Sequence, residues 1–216
     1  MNGQMKIAII GANGRLGKKL CEQALQRGFD VTTIIREDSL TNQNVKNVIH
    51  KDLFALTKDD VARFDVLLSA FGSGFNVDPS INRKAINHLA KITKGSDIHL
   101  IMVGGAGTLF TDATHAQHVY ESEGHPDFLK GISMNICLGL EDLKKGEGVE
   151  YTLVCPSLDF DYEGQGKGKY KVGVEQEVLF ALDGKSHITY TDFAKAMLDV
   201  AEKREYLKKC ITICEE

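Results

Sequence analysis

The chain has 216 residues, of which 43% are hydrophobic and 26% are charged, and its formal net charge is −4. This length suffices for one well-buried core and is short for two, so we predict a single domain over residues 1–216. Lysine and arginine are spread among the acidic residues, which argues against nucleic acid as a partner. No apolar stretch approaches membrane-spanning length, and the polar start Met1–Met5 is no targeting signal. We therefore expect a cytoplasmic protein with no membrane partner.

Short apolar runs alternate with longer amphipathic segments along most of the chain, which is typical of a parallel sheet with crossover helices. Helices are predicted at Leu16–Arg27, Ile81–Thr93 and Ile132–Lys145, with a further helix start at Thr57. The predicted strands are Lys6–Ile10, Asp30–Ile35, Val45–Ile49, Asp65–Ser69, Ile98–Val103 and Tyr151–Cys155. The predicted fold class is α/β, a doubly wound parallel Rossmann sheet with strand order 3-2-1-4-5-6 and helices on both faces.

The alternating pattern ends after Pro156, where several glycines separate short strand-like pieces at Tyr170–Val174 and Val178–Phe180. We predict that about residues 157–190 form a small irregular C-terminal cap over the carboxyl ends of the strands, on the substrate side. A last helix, Phe193–Glu202, and an edge strand, Cys210–Ile213, are predicted to follow.

The most informative motif is a glycine triplet, Gly11, Gly14 and Gly17, which closes the first strand and opens the first helix. An ordinary strand-to-helix turn needs one glycine. Three at this spacing permit a tight turn, a close backbone approach to a pyrophosphate, and close packing of the helix on the sheet. The segment predicts a dinucleotide site, in which Asn13, Arg15 and Leu16 also take part and the helix N-terminus favours the negative charge.

The end of the second strand bears on which dinucleotide is bound. NAD-binding units usually carry an acidic residue there, which hydrogen-bonds the ribose 2′-hydroxyl. In this chain the strand ends in Arg36, whose guanidinium matches a 2′-phosphate through two parallel hydrogen bonds. We expect NADP(H) to be preferred. The alternative is that Glu37 contacts the ribose and NAD(H) is accepted.

Turns after the later strands supply further candidate cofactor contacts. Asp52 and Leu53 are expected beside the adenine, although Asp52 suits a helix cap equally well. Phe71 is either part of the nicotinamide pocket or an ordinary core residue. The remaining candidates are small residues that let the cofactor approach the backbone: Ser69, Ala70, Gly72, Gly104 and Gly105.

The glycine loop, the Ile35-Arg36 ending and the turn Val103–Gly107 together resemble the atypical short-chain dehydrogenase/reductases. The chain is most similar to the bacterial group named NADH-flavin reductases, kin to the NmrA-like and biliverdin reductase B-like proteins. The resemblance runs nearly end to end and includes Cys155-Pro156-Ser157, the segment from Gly164 to Gly173, Asp183–Ile188 and Asp192-Phe193-Ala194. It implies a nicotinamide cofactor and an active-site floor made by the turns after the fourth and fifth strands. It does not imply a settled substrate.

Typical short-chain dehydrogenases use a tyrosine as acid/base, with a lysine four residues later. None of the six tyrosines here has a lysine at that spacing. Without this pair, we expect hydride transfer from NADPH to an acceptor that needs little acid/base help, such as a flavin (FMN or FAD as substrate) or a quinone. The weak catalytic candidates are Thr108, Tyr120 and Tyr162.

Two other readings remain open. The missing pair is equally compatible with a non-catalytic NADP(H)-binding redox sensor of the NmrA-like type, and less so with a sugar epimerase. Asp112, His115, His118 and His125 match no metalloenzyme spacing, so we predict loop histidines near a substrate mouth and no metal. Five scattered cysteines are expected to be free thiols. The oligomeric state is open, with a homodimer as one option.

Overall fold

The computed structural model describes residues 4–36 and 44–216. Five helices are present in these ranges: α1 (Arg15–Gln26), α2 (Lys58–Val61), α3 (Ser80–Thr93), α4 (Asp127–Lys145) and α5 (Tyr190–Lys203). The strands of the same ranges are β1 (Lys6–Ile10), β2 (Asp30–Ile35), β3 (Asn47–His50), β4 (Val66–Ser69), β5 (His99–Val103), β6 (Glu150–Pro156), β7 (Asp159–Asp161), β8 (Tyr170–Gly173), β9 (His187–Thr189) and β10 (Lys209–Glu215).

Eight of these strands form one sheet in the order β3-β2-β1-β4-β5-β6-β10-β8. The first seven run parallel, and β8 pairs antiparallel with β10. The predicted α/β Rossmann class and the predicted order of the first six strands are confirmed. Strand order reverses between β1 and β4, which is where open α/β sheets bind their ligands.

Three predictions about local structure are corrected. The last strand was expected at the edge of the sheet, but β10 lies inside it, because β8 returns to pair with its free side. The strand-like piece Val178–Phe180 is not a strand. Helix α4 begins five residues before the predicted Ile132, directly after Pro126, with Asp127 in its first turn. A proline disfavours helical backbone at the residue before it, so a helix tends to begin at or just after a proline. An acidic residue in the first turn is stabilised by the helix dipole.

Helices cover both faces of the sheet. α1 and α5 pack on one face, where Leu20 and Phe193 are fully buried, and α3 and α4 pack on the other, around Leu89 and Leu140. Across α3 and α4, Arg83 forms a bidentate pair with Asp142, with N–O distances of 2.7 and 2.9 Å. The sheet therefore has an apolar core on each side, as a doubly wound fold requires.

The segment after β6 contributes strands to two different sheets. β7 pairs with β9 in a separate two-stranded parallel sheet, whereas β8 joins the main sheet. The chain between β7 and β8 is held by the buried carboxylate of Asp192, which accepts hydrogen bonds from the backbone N–H groups of Lys167 and Gly168 at 2.7 and 2.9 Å. The predicted strand-like piece Tyr170–Val174 corresponds to β8, the edge strand of the main sheet, which pairs antiparallel with β10.

His99 is fully buried at the start of β5. Its Nε2 lies 2.8 Å from the Thr152 hydroxyl, which itself donates to the carbonyl of Tyr206 at 2.9 Å. Thr152 therefore accepts from His99, which links β5, β6 and the turn before β10. Burial, assisted by the charge of Arg204, lowers the pKa of His99 to about 4.

Among the residues that the structure describes, no helix combines the length and apolar character needed to cross a lipid bilayer.

Candidate functional site

The glycine loop lies at the carboxyl end of β1, beside the turn that follows β4. Gly11 has a φ of +75°, and a β-carbon there would stand 2.9 Å from the carbonyl oxygen of Ala70. At Gly17 a β-carbon would stand 2.1 Å from the carbonyl oxygen of Gly11. Glycine is thus required at the first position by conformation and at the third by the contact of α1 with the loop.

Gly14 precedes α1 and donates its N–H to the carbonyl of Gly11 at 2.9 Å. The N–H groups of the first helical turn, from Arg15 to Gly17, have no acceptor within an α-helix. Gly14, the N-cap residue of α1, has no side chain that could cap this end, and the first turn of the helix carries no acidic residue. The exposed start of α1 therefore offers N–H groups and a positive dipole end to an anion.

The first of two neighbouring cavities, the loop cavity, has a volume of about 430 Å³ and opens over this glycine loop. Its lining includes nine of the residues predicted to bind the cofactor: Gly11, Asn13, Gly14, Arg36, Asp52, Leu53, Ala70, Phe71 and Gly72. Arg15, Leu16 and Gly17 are absent from the described lining of either cavity; Leu16 and Gly17 are buried in the α1 packing.

The charged residues in the described lining of the loop cavity are Arg36, Lys51 and Asp52. Lys51 is paired with Asp60, whose carboxylate oxygens lie 2.7 and 2.8 Å from Nζ. Arg36 is exposed and forms no ion pair with the described residues. Asp52 both lines the cavity and caps a short 3-10 turn, accepting from the N–H of Phe54 at 2.9 Å. Glu37, the alternative ribose contact, lies outside the described residues.

The second cavity, the apolar cavity, has a volume of about 440 Å³ and lies between α3, α4 and the carboxyl ends of β4, β5 and β6. Phe71, Gly72 and Ser73 line both cavities, so the two are contiguous. The predicted contacts Ser69, Gly104 and Gly105 line the apolar cavity. Together the cavities form one groove across the point where strand order reverses.

Most polar side chains of the apolar cavity already have partners. Asn82 donates to the Ser73 hydroxyl and to the carbonyl of Pro79, at 2.9 and 3.0 Å. Ser157 donates to the carbonyl of Ile213 at 2.8 Å. His125 differs, because its Nε2 is buried with no hydrogen-bond partner among the described residues. Burial, with a contribution from Lys130, lowers the pKa of His125.

The three catalytic candidates lie outside the described lining of both cavities. Thr108 is fully buried, and its hydroxyl donates to the carbonyl of Gly105 at 2.7 Å, so it is engaged in holding the turn. Tyr120 is half-buried against His118, and burial raises its pKa. Tyr162 is 42% exposed and lies under the guanidinium of Arg15, 4.8 Å from its ring centre.

The loop histidines have separate roles. His115 and His118 both stack on the Phe110 ring, with ring centres 4.4 and 4.2 Å away, and His115 also pairs with Glu177 at 2.9 Å. His125 lines the apolar cavity. Within residues 4–36 and 44–216 the structure brings together no three histidine, cysteine or acidic side chains suited to a metal ion.

Sequence reasoning missed most of the apolar cavity. Its walls come from the inner faces of α3 and α4 and from the chain after β6, including Asn82, Ser133, Leu158 and Phe160, whereas His125 was predicted near a substrate mouth and does line the cavity. The early start of α4 places His125, two residues before the helix, in the lining of this cavity. The dipeptide Pro126-Asp127 was the available signal, since proline followed by an acidic residue is typical of a helix start.

Comparisons with known proteins agree with this geometry. The model of a family described as NAD(P)H-binding matches residues 11–204. The uncharacterized protein YwnB of Bacillus subtilis strain 168 is 32% identical over 213 residues, covering 98% of this chain and 99% of that protein. A "putative NADH-flavin reductase" of Streptococcus pneumoniae TIGR4 has 33% identity and a TM-score of 0.91, covering 98% of this chain and 100% of that one. A "putative epimerase" of Bacteroides thetaiotaomicron has 25% identity and a TM-score of 0.83, covering 99% of this chain and 98% of that one.

Proposed function

Because the chain belongs to the NAD(P)H-binding family, we propose that it is an NADPH-dependent reductase that transfers hydride to a flavin or a flavin-like conjugated acceptor. The observation that carries the proposal is the contiguity of the two cavities. A cavity over a glycine loop, with Arg36, Lys51 and Asp52 in its lining, meets an uncharged cavity at Phe71, Gly72 and Ser73. A dinucleotide lying across both brings its nicotinamide to the apolar side, where an acceptor ring can stack.

The residues divide between the two halves of the cofactor. We assign the pyrophosphate to the backbone of Gly11–Gly17, the 2′-phosphate to Arg36, and the adenine side to Asp52 and Leu53. Ser69, Ala70, Gly72, Gly104 and Gly105 would hold the nicotinamide half against the backbone. The bound cofactor supplies hydride chemistry; the protein orients the two rings and excludes water, which are the main requirements for transfer between stacked conjugated rings.

The test is NADPH oxidation, followed by the loss of its near-ultraviolet absorbance, with FMN, FAD, riboflavin and simple quinones. Steady consumption with at least one acceptor is expected. Tight NADPH binding with no consumption in any of these assays would refute the reductase and favour the redox sensor, because a sensor binds the cofactor without oxidising it.

We expect Arg36→Ala to weaken NADPH binding about ten- to 150-fold and to leave NADH binding nearly unchanged. A charge-assisted hydrogen bond to the 2′-phosphate contributes about 1.5–3 kcal/mol, and NADH has no such group. Calorimetric titration of both cofactors measures the effect. Arg63→Ala is the matched control, because Arg63 is an exposed arginine outside both cavities. Equal affinity of the parent protein for NADPH and NADH would remove the role given to Arg36.

Changing Tyr120, Tyr162 or Tyr170 singly to phenylalanine should leave turnover within about tenfold of the parent. A tyrosine general acid would contribute about 10²- to 10⁴-fold, and none of the three lines the cavities. Tyr170 instead donates to Asp199 at the far edge of the sheet. The measurement is kcat with the best acceptor found above. A near-complete loss in one variant would identify an acid and revive a carbonyl-reductase mechanism.

A further inference from the structure

The apolar cavity carries no fixed charge. Among the described residues that line it there is no Asp, Glu, Lys or Arg. His125 is the one ionisable side chain of this described lining, and burial lowers its pKa below the usual value for histidine, which favours the uncharged imidazole at pH 7. The loop cavity beside it differs sharply, since Arg36, Lys51 and Asp52 line that one. The charges of the groove are thus confined to one of its two halves.

The mouth of the apolar cavity is apolar as well. Phe75 and Leu158 line it and are 66% and 48% exposed. Phe75 meets Phe128 of α4 edge to face, with ring centres 5.1 Å apart. Phe71 and Phe160 add aromatic surface farther along the lining. Aromatic side chains favour flat conjugated partners, and large exposed apolar side chains beside a cavity indicate a ligand-binding surface.

From this lining we infer that the acceptor enters the apolar cavity as an uncharged planar conjugated ring, such as a quinone or the isoalloxazine of a flavin, and that the cavity discriminates against acceptors with an anionic group on the ring. The inference rests on the proposed function and narrows its substrate class. Its physical basis is desolvation: an anion entering this cavity loses water and meets no counter-charge, whereas an uncharged ring gains apolar contact.

The test compares two acceptors of nearly equal size, 2-(hydroxymethyl)anthraquinone and anthraquinone-2-sulfonate. Their binding is measured by calorimetry on the full chain loaded with tetrahydro-NADPH, a cofactor analogue that cannot give hydride. We expect the uncharged ring to bind at least about tenfold more tightly, because the sulfonate stays unpaired. Equal or tighter binding of the sulfonate, or no binding of the uncharged ring, would overturn the inference.

A gain-of-function variant checks the location. Leu158→Lys places a cation at the cavity mouth and should strengthen sulfonate binding about two- to fivefold, the range of an exposed ion pair. Leu182→Lys is the control: Leu182 is 97% exposed and outside the cavity, so both affinities should match the parent's. An equal gain in sulfonate affinity from both lysine variants would show that the acceptor does not bind in this cavity and would overturn the inference.

The outcome is separable from that of the proposed function. Preference for the uncharged ring without NADPH consumption by any acceptor would retain the cavity's specificity and refute the reductase. Consumption with FMN, combined with equal binding of the two anthraquinones, would retain the reductase and overturn the inference.

Discussion

Replacing Gly14 with valine is expected to lower the affinity for NADPH by at least about 100-fold while leaving the fold intact. The position is exposed over the loop cavity, with φ −69° and ψ 167°, which valine adopts readily. The side chain would fill the space proposed for the pyrophosphate and deny it the N–H groups at the start of α1. Two lost charge-assisted hydrogen bonds account for a loss of this size.

Calorimetric titration with NADPH and urea unfolding together check this prediction. The unfolding free energy of Gly14→Val should stay within about 1 kcal/mol of the parent's, because its backbone angles suit valine and a β-carbon there would meet one atom only, the Gly11 carbonyl oxygen at 3.1 Å. Gly17→Ala, by contrast, should lower the unfolding free energy. Its methyl group would stand 2.1 Å from the carbonyl oxygen of Gly11, and overpacking of this kind costs about 1–3 kcal/mol. Unchanged NADPH affinity in Gly14→Val would refute the placement of the pyrophosphate.

Acidification is expected to destabilise the protein between about pH 6.5 and pH 4, mainly through His99. Its pKa is about 4 in the folded protein and about 6.5 in an unfolded chain. The unfolded state therefore binds a proton first, and the stability that is fully present above pH 6.5 is lost as the pH falls toward 4. A shift of this size corresponds to about 3 kcal/mol.

Urea unfolding at pH 7 and pH 4.5 measures the loss. His99→Leu should flatten the pH dependence in this window, since leucine has no proton to bind and Thr152 keeps its bond to the Tyr206 carbonyl. The exposed His50 provides the control, and His50→Leu should retain the parent's slope. Asp60 and Asp142 each have a pKa of about 2 in the folded protein. The stability that their carboxylates contribute is therefore lost on protonation at lower pH, outside this window. An unchanged slope in His99→Leu would contradict the assignment.

The central part of the fold was predictable because its signals are local. The apolar runs of β1 and β2, the glycine triplet, and the helical spacing of α1 each lie within about a dozen residues. Right-handed crossovers then leave few ways to order parallel strands. The order β3-β2-β1-β4-β5-β6 follows from these rules.

The rest depends on contacts between distant segments. The pairing of β8 with β10 joins residues about forty positions apart, such as Val172 and Ile213. Nothing in the run Cys210–Ile213 distinguishes an edge strand from an interior one. The apolar cavity is likewise shared by helix faces whose sequences predict burial equally well against protein or against a ligand. The glycine loop and the turns after β4 and β5 were thus recognisable from sequence, whereas the parts of the apolar cavity that come from α3, α4 and the chain after β6 were not.

The short antiparallel strand at the end of the sheet has a consequence for solubility. An edge strand offers unpaired N–H and C=O groups to other chains, and long apolar edges promote aggregation. Here β10, a seven-residue strand that is almost wholly buried, is shielded by the four-residue β8, and the opposite end is the four-residue β3. Lys171 of β8 adds a positive charge at that edge. The long hydrophobic strands are thereby kept from intermolecular β-pairing, and a change that detached β8 would expose β10 to it.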